Sequence, residues 1–262
     1  MSFMRPLGNT GLTVSALGLG TVKIGRDKGV KYPSGFTIPD DRAVTELLAQ
    51  ARDLGINLID TAPAYGHSEV RLGKLMSARQ DWIIVTKVGE EFDNDSGESR
   101  FDFTPAHVRT SVERSLQRLN TDYLDSVLVH SDGNDLDIIS QGTLEALNEL
   151  KKAGLIRATG MSTKTVEGGI ATLQQADMAM VTYNLQHHEE VPVIEHAASH
   201  SKGILIKKAF ASGHLADDIA DPVQESLNQI LGTAGVGSII AGTINPKHLQ
   251  ENVAKARIAC GE

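Results

Sequence analysis

The chain has 262 residues, 40% of them hydrophobic and 22% charged, with a formal net charge of −8 and a single cysteine, Cys260. Such a length and composition suit one large buried core. The excess of acid makes nucleic acid and anionic membrane poor partners for the surface as a whole, and one cysteine excludes both an intrachain disulfide and a cysteine-based zinc site. The opening stretch MSFMRPLGNTG lacks the apolar core of a secretory signal, and no apolar run approaches bilayer-spanning length. A soluble cytoplasmic protein is the expectation.

Along the chain, a short hairpin (RPLG, NTG, LTV) comes first. Eight apolar runs then read as strands: 16–21, 56–62, 82–88, 124–130, 156–162, 178–184, 203–209 and 237–242. Their mostly continuous apolar character suits strands buried on both faces of a parallel sheet. Helical periodicity fills the gaps. Asp40 or Asp41 can cap a helix whose Val44, Leu47, Leu48 and Ala51 share one face. Thr104 and Pro105 open a helix carrying Val108, Val112, Leu116 and Leu119 on one stripe. A helix over 140–153 stops at Ala153–Gly154, one is expected near 221–233, and Asn245–Pro246 opens the last, over 246–258. Eight strands each followed by a helix, with no break in composition, predict a single (β/α)8 barrel over 1–262. A doubly wound sheet is the alternative, and it leaves the last two strands harder to place.

Two connections are long for a barrel. Residues 22–40 carry Lys23, Arg26, Lys28 and Lys31, whereas residues 89–103 hold six acids and one arginine and read as loop without regular structure. Both leave from C-terminal strand ends, so both can fold over the same face or remain solvated. The glycines of GLGTVKIG (18–25) and GTAGVG (232–237) fail the context of a dinucleotide fingerprint, since neither completes GxGxxG before a helix. His187, His188, Glu189 and Glu190 form a polar cluster, and His196 and His200 stand one helical turn apart. Solvated side chains are the simpler reading of both groups, and no metal is expected.

Four residues carry the functional reading. Asp60, Lys87 and His130 end apolar strands, and Tyr65 follows the first of them closely in DTAPAYG. Strand C-termini converge on the face where barrels build their sites. A carboxylate, phenol, ammonium and imidazole there make a proton-transfer device.

The segment LGINLIDTAPAYGHSEVRLGKLM (54–76), with TK at 86–87, LVH at 128–130, VERSLQRLNTDYLD (112–125), GLIRATGMS (154–162) and the terminal GTINPKHLQEN, resembles the aldo-keto reductases. The resemblance implies a barrel that binds a nicotinamide cofactor in an extended form, and reduction of a small-molecule aldehyde or ketone. It implies Tyr65 as general acid, Lys87 as the ammonium that eases loss of the phenolic proton, Asp60 as the anchor of Lys87, and His130 as hydrogen-bond partner of the carbonyl oxygen. It implies cofactor contacts at Thr21, Asp60, Ser162, Thr163, Lys207, Phe210, Ser212, Gly213, Leu215, Thr243, Asn245, His248, Glu251 and Asn252. NADPH is expected by family habit, with NADH left open.

The chain departs from the family pattern at several places. Ser162–Thr163 stands for Ser-Asn, Met180 for a glutamine, Lys207 for the aromatic residue that stacks on nicotinamide, and His248 for an arginine. Val22 replaces a tryptophan common in relatives. Together with the short stretch after the last helix, Val22 predicts an open pocket unless 22–40 or 89–103 covers it. Three other functions compete with the reductase: a cofactor-binding regulatory or redox-sensing subunit with slow turnover, a Schiff-base aldolase using Lys87, and a non-catalytic binding protein.

Overall fold

A computed structural model of the chain describes residues 2–30, 32, 35–213 and 219–262. A hairpin of β1 (Met4–Pro6) and β2 (Thr13–Ser15) opens the chain. Eight parallel strands then close into a barrel: β3 (Leu17–Gly20), β4 (Leu58–Asp60), β5 (Ile83–Val88), β8 (Leu124–His130), β9 (Ile156–Ser162), β10 (Met178–Thr182), β11 (Gly203–Lys207) and β12 (Val236–Ala241). These are the eight expected strands, with every bound within two residues of its expected place. A second hairpin, β6 (Glu90–Phe92) with β7 (Ser99–Phe101), hangs from the end of β5.

Outside the barrel run α1 (Asp41–Asp53), α2 (Ser68–Leu75), α3 (Pro105–Leu119), α4 (Asp135–Ser140), α5 (Thr143–Lys152), α6 (Val166–Gln175), α7 (Val191–Ser199), α8 (Pro222–Gly232) and α9 (Pro246–Cys260). Several begin where cap chemistry places them. The side chains of Asp40, Thr104, Asp221 and Asn245 accept from N–H groups of the first turns of α1, α3, α8 and α9. The helix expected over 140–153 is α5, which starts at Thr143 because Gly142 at its N-cap takes a positive φ of 81°; the short α4 that precedes it was not expected.

The period-2 alternation of strands sorts the core. Val44, Ile59, Ile84, Val127, Met161 and Val181 lie in the layer between sheet and helices. Leu58, Val85, Leu128, Ala158, Met178, Met180 and Leu205 point into the barrel, where Leu7, Leu12 and Val14 of the first hairpin plug the N-terminal end. Gly8 makes that plug possible. Its φ is +54°, and a Cβ there would lie 2.4 Å from the backbone nitrogen of Gly203. Truncating one buried leucine of the inner layer, such as Leu128, to alanine costs about 2–5 kcal/mol.

The same alternation places the site. Two residues beyond Leu58 is Asp60, two beyond Val85 is Lys87, two beyond Leu128 is His130, and two beyond Leu205 is Lys207. All therefore point inward at the C-terminal rim. Register agrees, with Asp60 opposite Val85 and His130 opposite Ser162.

The acidic stretch 89–103 is not irregular, contrary to the expectation from its composition. The Asp93 carboxylate accepts from the N–H groups of Asp95 and Ser96, which builds the turn. Phe101 stacks on Phe103 at 5.9 Å, and the Arg26 guanidinium sits 3.7 Å over the Phe92 ring. Tertiary contacts hold a hairpin that its own strand propensity does not announce. No helix of the described residues is long and apolar enough to cross a membrane.

Candidate active site

A cavity of about 630 Å³ opens at the C-terminal rim, within the size range of small-molecule and cofactor sites. Asp60, Tyr65, Lys87 and His130 line it, and its wall continues past Lys207 and Phe210 to Asn252 on α9. The four residues singled out from the sequence thus converge on one space.

Their hydrogen bonds are specific. The Lys87 ammonium donates to Asp60 Oδ1 at 2.6 Å and to the Thr61 carbonyl at 2.9 Å. Both members of this ion pair are almost fully buried, at 1% and 5% side-chain exposure, which makes the pair depend on its geometry. The Tyr65 hydroxyl donates to Asp60 Oδ2 at 3.3 Å, and the Lys87 ammonium lies 4.7 Å from the centre of the Tyr65 ring.

Burial, then the Asp60 carboxylate, holds the Tyr65 phenol well above its ordinary value. The sequence reading had the ammonium lowering it. The difference arises because Lys87 is turned toward Asp60 and Thr61 rather than toward the phenol oxygen, so in this state the proton stays on Tyr65. With two of its three N–H groups engaged, Lys87 is also poorly placed as a Schiff-base nucleophile.

His130 has a partner that sequence inspection missed. Glu90, on β6, brings Oε2 to 2.8 Å from His130 Nδ1. The ring N–H is not aligned on that oxygen for a linear hydrogen bond. The other oxygen, Oε1, accepts from the Ser99 hydroxyl at 2.7 Å and faces Arg26 at 3.6 Å. Burial pushes the Glu90 carboxyl up, but His130, Ser99 and Arg26 outweigh it and hold it at about 2. Burial lowers the His130 imidazole, with Glu90 opposing and Lys87 and Lys207 adding to the depression. The only signal for Glu90 in the sequence is an acid three residues after Lys87.

The residues expected at the cofactor divide into three groups. Asp60, Ser162, Lys207, Phe210, Gly213, Thr243, His248, Glu251 and Asn252 line the cavity, with Gly20, Met180 and Gly242. Thr21, Thr163 and Asn245 are engaged elsewhere. The Thr21 hydroxyl donates to the Asp60 carbonyl at 2.8 Å and accepts from Ser68. Thr163 is buried, with its hydroxyl toward Glu190 at 3.4 Å, and Asn245 caps α9 through the Lys247 N–H. Leu215 and the side chain of Ser212 lie outside the described residues.

Lys207 does not point to solvent. It donates to Ser162 Oγ at 2.9 Å and to the Thr163 carbonyl at 2.5 Å, and burial lowers its ammonium to about 8, against the pull of Glu190. Glu190 itself departs from the expectation of a solvated cluster. It is buried and accepts from the Thr182 N–H at 2.8 Å. The His196 and His200 rings stack 4.1 Å apart on the surface.

A nicotinamide dinucleotide fits this donor set. The cavity reaches from the proton-transfer residues to the start of α9, it is walled by glycine at positions 20, 213 and 242, and Ser162, Lys207, Thr243 and Asn252 offer hydrogen-bonding groups along it.

Known proteins point the same way. A sequence model described as "Aldo/keto reductase family" matches residues 16–226. PA4992 of Pseudomonas aeruginosa, a protein assigned to the aldo-keto reductases, has a crystal structure that superposes with a TM-score of 0.89 at 60% identity, covering 99% of this chain and 96% of that one. The oxidoreductase YqkF of Bacillus subtilis is 29% identical over 233 residues, 86% of this chain and 70% of YqkF. The NADH-specific methylglyoxal reductase of Escherichia coli is 33% identical over 190 residues, 67% of this chain and 56% of that enzyme. The chain belongs to the aldo/keto reductase family.

Proposed function

We propose that this NAD(P)H-dependent oxidoreductase reduces a small aldehyde or ketone to the alcohol with Tyr65 as general acid, using NADPH, in the cytoplasm, as a single domain over 1–262. The observation that carries the reading is the convergence of phenol, ammonium, carboxylate and imidazole on one cavity that continues to α9.

Bound there, a reduced nicotinamide supplies hydride to the carbonyl carbon. The chain's own residues manage the proton. Tyr65 keeps its proton against Asp60 until negative charge develops on the substrate oxygen, which is then a stronger acceptor than the shared carboxylate. Lys87, 4.7 Å from the ring, stabilises the phenolate left behind, and Asp60 fixes where Lys87 points. His130, whose ring lies edge-on to that of Tyr65 at 6.2 Å, is placed to meet the same oxygen. Ser162 and Lys207, joined at 2.9 Å, are placed to hold the carboxamide end of the cofactor, and Thr243, His248, Glu251 and Asn252 the adenosine end. Met180 offers no amide there, so Lys207 is the polar group left to replace it.

NADPH rests on family habit. The named relative that uses NADH keeps that cofactor as the alternative outcome of the test. Fluorescence titration with NADPH and NADH, followed by turnover on a panel of aldehydes and ketones, decides between them. Tyr65→Phe should bind cofactor as before and lose 10²–10⁴-fold in kcat. Unchanged turnover in that variant removes Tyr65 from its role, and tight binding without turnover of any carbonyl favours a regulatory subunit.

A further inference from the structure

Glu90 is not one of the four proton-transfer residues, yet it is the acid in contact with one of them. Its two oxygens are divided. Oε1 is taken by the Ser99 hydroxyl at 2.7 Å and faces Arg26 at 3.6 Å, so Oε2 is the oxygen left for His130 Nδ1 at 2.8 Å. Arg26 is itself fixed, donating to the Ala64 carbonyl at 2.9 Å and lying over the Phe92 ring. The carboxylate is therefore held against the imidazole by two groups, Ser99 and Arg26, and a small turn of the ring brings its N–H onto the oxygen.

Resting on the reductase reading above, we propose that Glu90 is a positioning residue for His130. By accepting from Nδ1 it fixes the imidazole proton on that nitrogen, and Nε2, the nitrogen left for the cavity, becomes a donor to a substrate carbonyl only when the ring takes up a second proton.

The chemistry follows from the two nitrogens of histidine. A neutral ring carries one N–H, and a carboxylate beside Nδ1 draws it there. Nε2 then has a lone pair, which can accept from a hydroxyl or water but cannot donate to a carbonyl oxygen. The imidazolium has N–H at both positions and donates to both Glu90 and substrate. The charged and titratable groups around the ring work against each other. Glu90 favours the imidazolium, whereas Lys87 on β5 and Lys207 on β11 oppose it. Asp60 on β4 is matched by Lys87, and Tyr65 presents its ring edge-on at 6.2 Å. The neutral ring is thus the resting form at neutral pH, and productive carbonyl binding is coupled to uptake of one proton at His130.

Glu90→Gln separates this role from a structural one. Arg26 is a donor only, so it keeps the amide oxygen on its own side and turns the amide NH2 toward Nδ1. That donor forces the ring proton onto Nε2. Long-range ¹H–¹⁵N spectra of histidine-labelled full-length protein read the tautomer directly, with the His130 signals identified by their loss in His130→Gln. At pH 8 the wild-type ring should carry its proton on Nδ1, and the Glu90→Gln ring on Nε2. A wild-type ring protonated on Nε2, or the same tautomer in both proteins, overturns the proposal. This holds whether or not any carbonyl is turned over, so it is separate from a failure of the reductase reading.

The kinetic arm is the pH profile of kcat/KM for a carbonyl substrate at saturating cofactor. Wild type should fall about tenfold per pH unit above the imidazole pKa, and Glu90→Gln should lose that descending limb. A variant that is uniformly slower with the wild-type profile shows only a damaged hairpin and overturns the proposal as well.

Discussion

Replacing Lys207 by methionine tests the reading of the rim through stability rather than activity. Lys207 reaches two acceptors, Ser162 Oγ and the Thr163 carbonyl, but among the described residues no carboxylate forms an ion pair with it, and burial lowers its ammonium from 10.5 to about 8. In the unfolded chain the same lysine titrates near 10.4. Between those values the unfolded state still binds the proton that the folded state has released, so stability rises with pH across that window. Below about pH 8 the folded chain carries the whole penalty, about 3 kcal/mol at about 1.4 kcal/mol per pH unit. Methionine has no proton to lose. Urea unfolding of both proteins at pH 7.5 and pH 10 should therefore show wild type gaining about 2–3 kcal/mol on the variant as pH rises. Groups that titrate alike in both proteins cancel in the comparison. Tyr65, held well above 10, pulls the other way only at higher pH. Parallel pH dependences in the two proteins would refute the reasoning, because Lys207 would then titrate as it does in the unfolded chain.

Asp60→Asn leaves the Lys87 ammonium buried without its counter-charge, and should cost about 3 kcal/mol or more in a denaturant titration together with most of the carbonyl turnover. Gly8→Ala places a Cβ 2.4 Å from the Gly203 nitrogen at a φ of +54°, and should lower stability by about 2 kcal/mol or more, seen as a lower thermal midpoint. Asn245→Ala removes the side-chain acceptor at the start of α9 and should cost about 1 kcal/mol. A loss in cofactor affinity much beyond that from fraying would mean that Asn245 also touches the cofactor.

The barrel was legible because its strands are continuous apolar runs and because Asp40, Thr104 and Asn245 mark helix starts by chemistry that acts over three residues. Asp60, Lys87 and His130 were legible for a related reason: each stands two places beyond an inward-facing apolar residue, so the pleat alone sends it into the cavity. What escaped the sequence depends on partners distant along the chain. The hairpin at 90–101 is acidic and its strands are three residues long, and it is held by Arg26, some 66 residues before Phe92 in sequence. The burial of Glu190 and the engagement of Thr163 follow from one another across 27 residues. Tyr65 was expected beside an ammonium and was found sharing a carboxylate, a matter of where Lys87 rotates rather than where it sits.

The attachment of Glu90 carries an evolutionary consequence. The acid that touches the imidazole is borne by an appendage joined to the barrel just after β5, while the imidazole belongs to β8 itself. Exchange of that short ribbon between paralogues can add or delete the acid without altering a single barrel stave. Proton demand and scaffold are then inherited separately, and two enzymes with identical strands can differ in the acidity at which they work best.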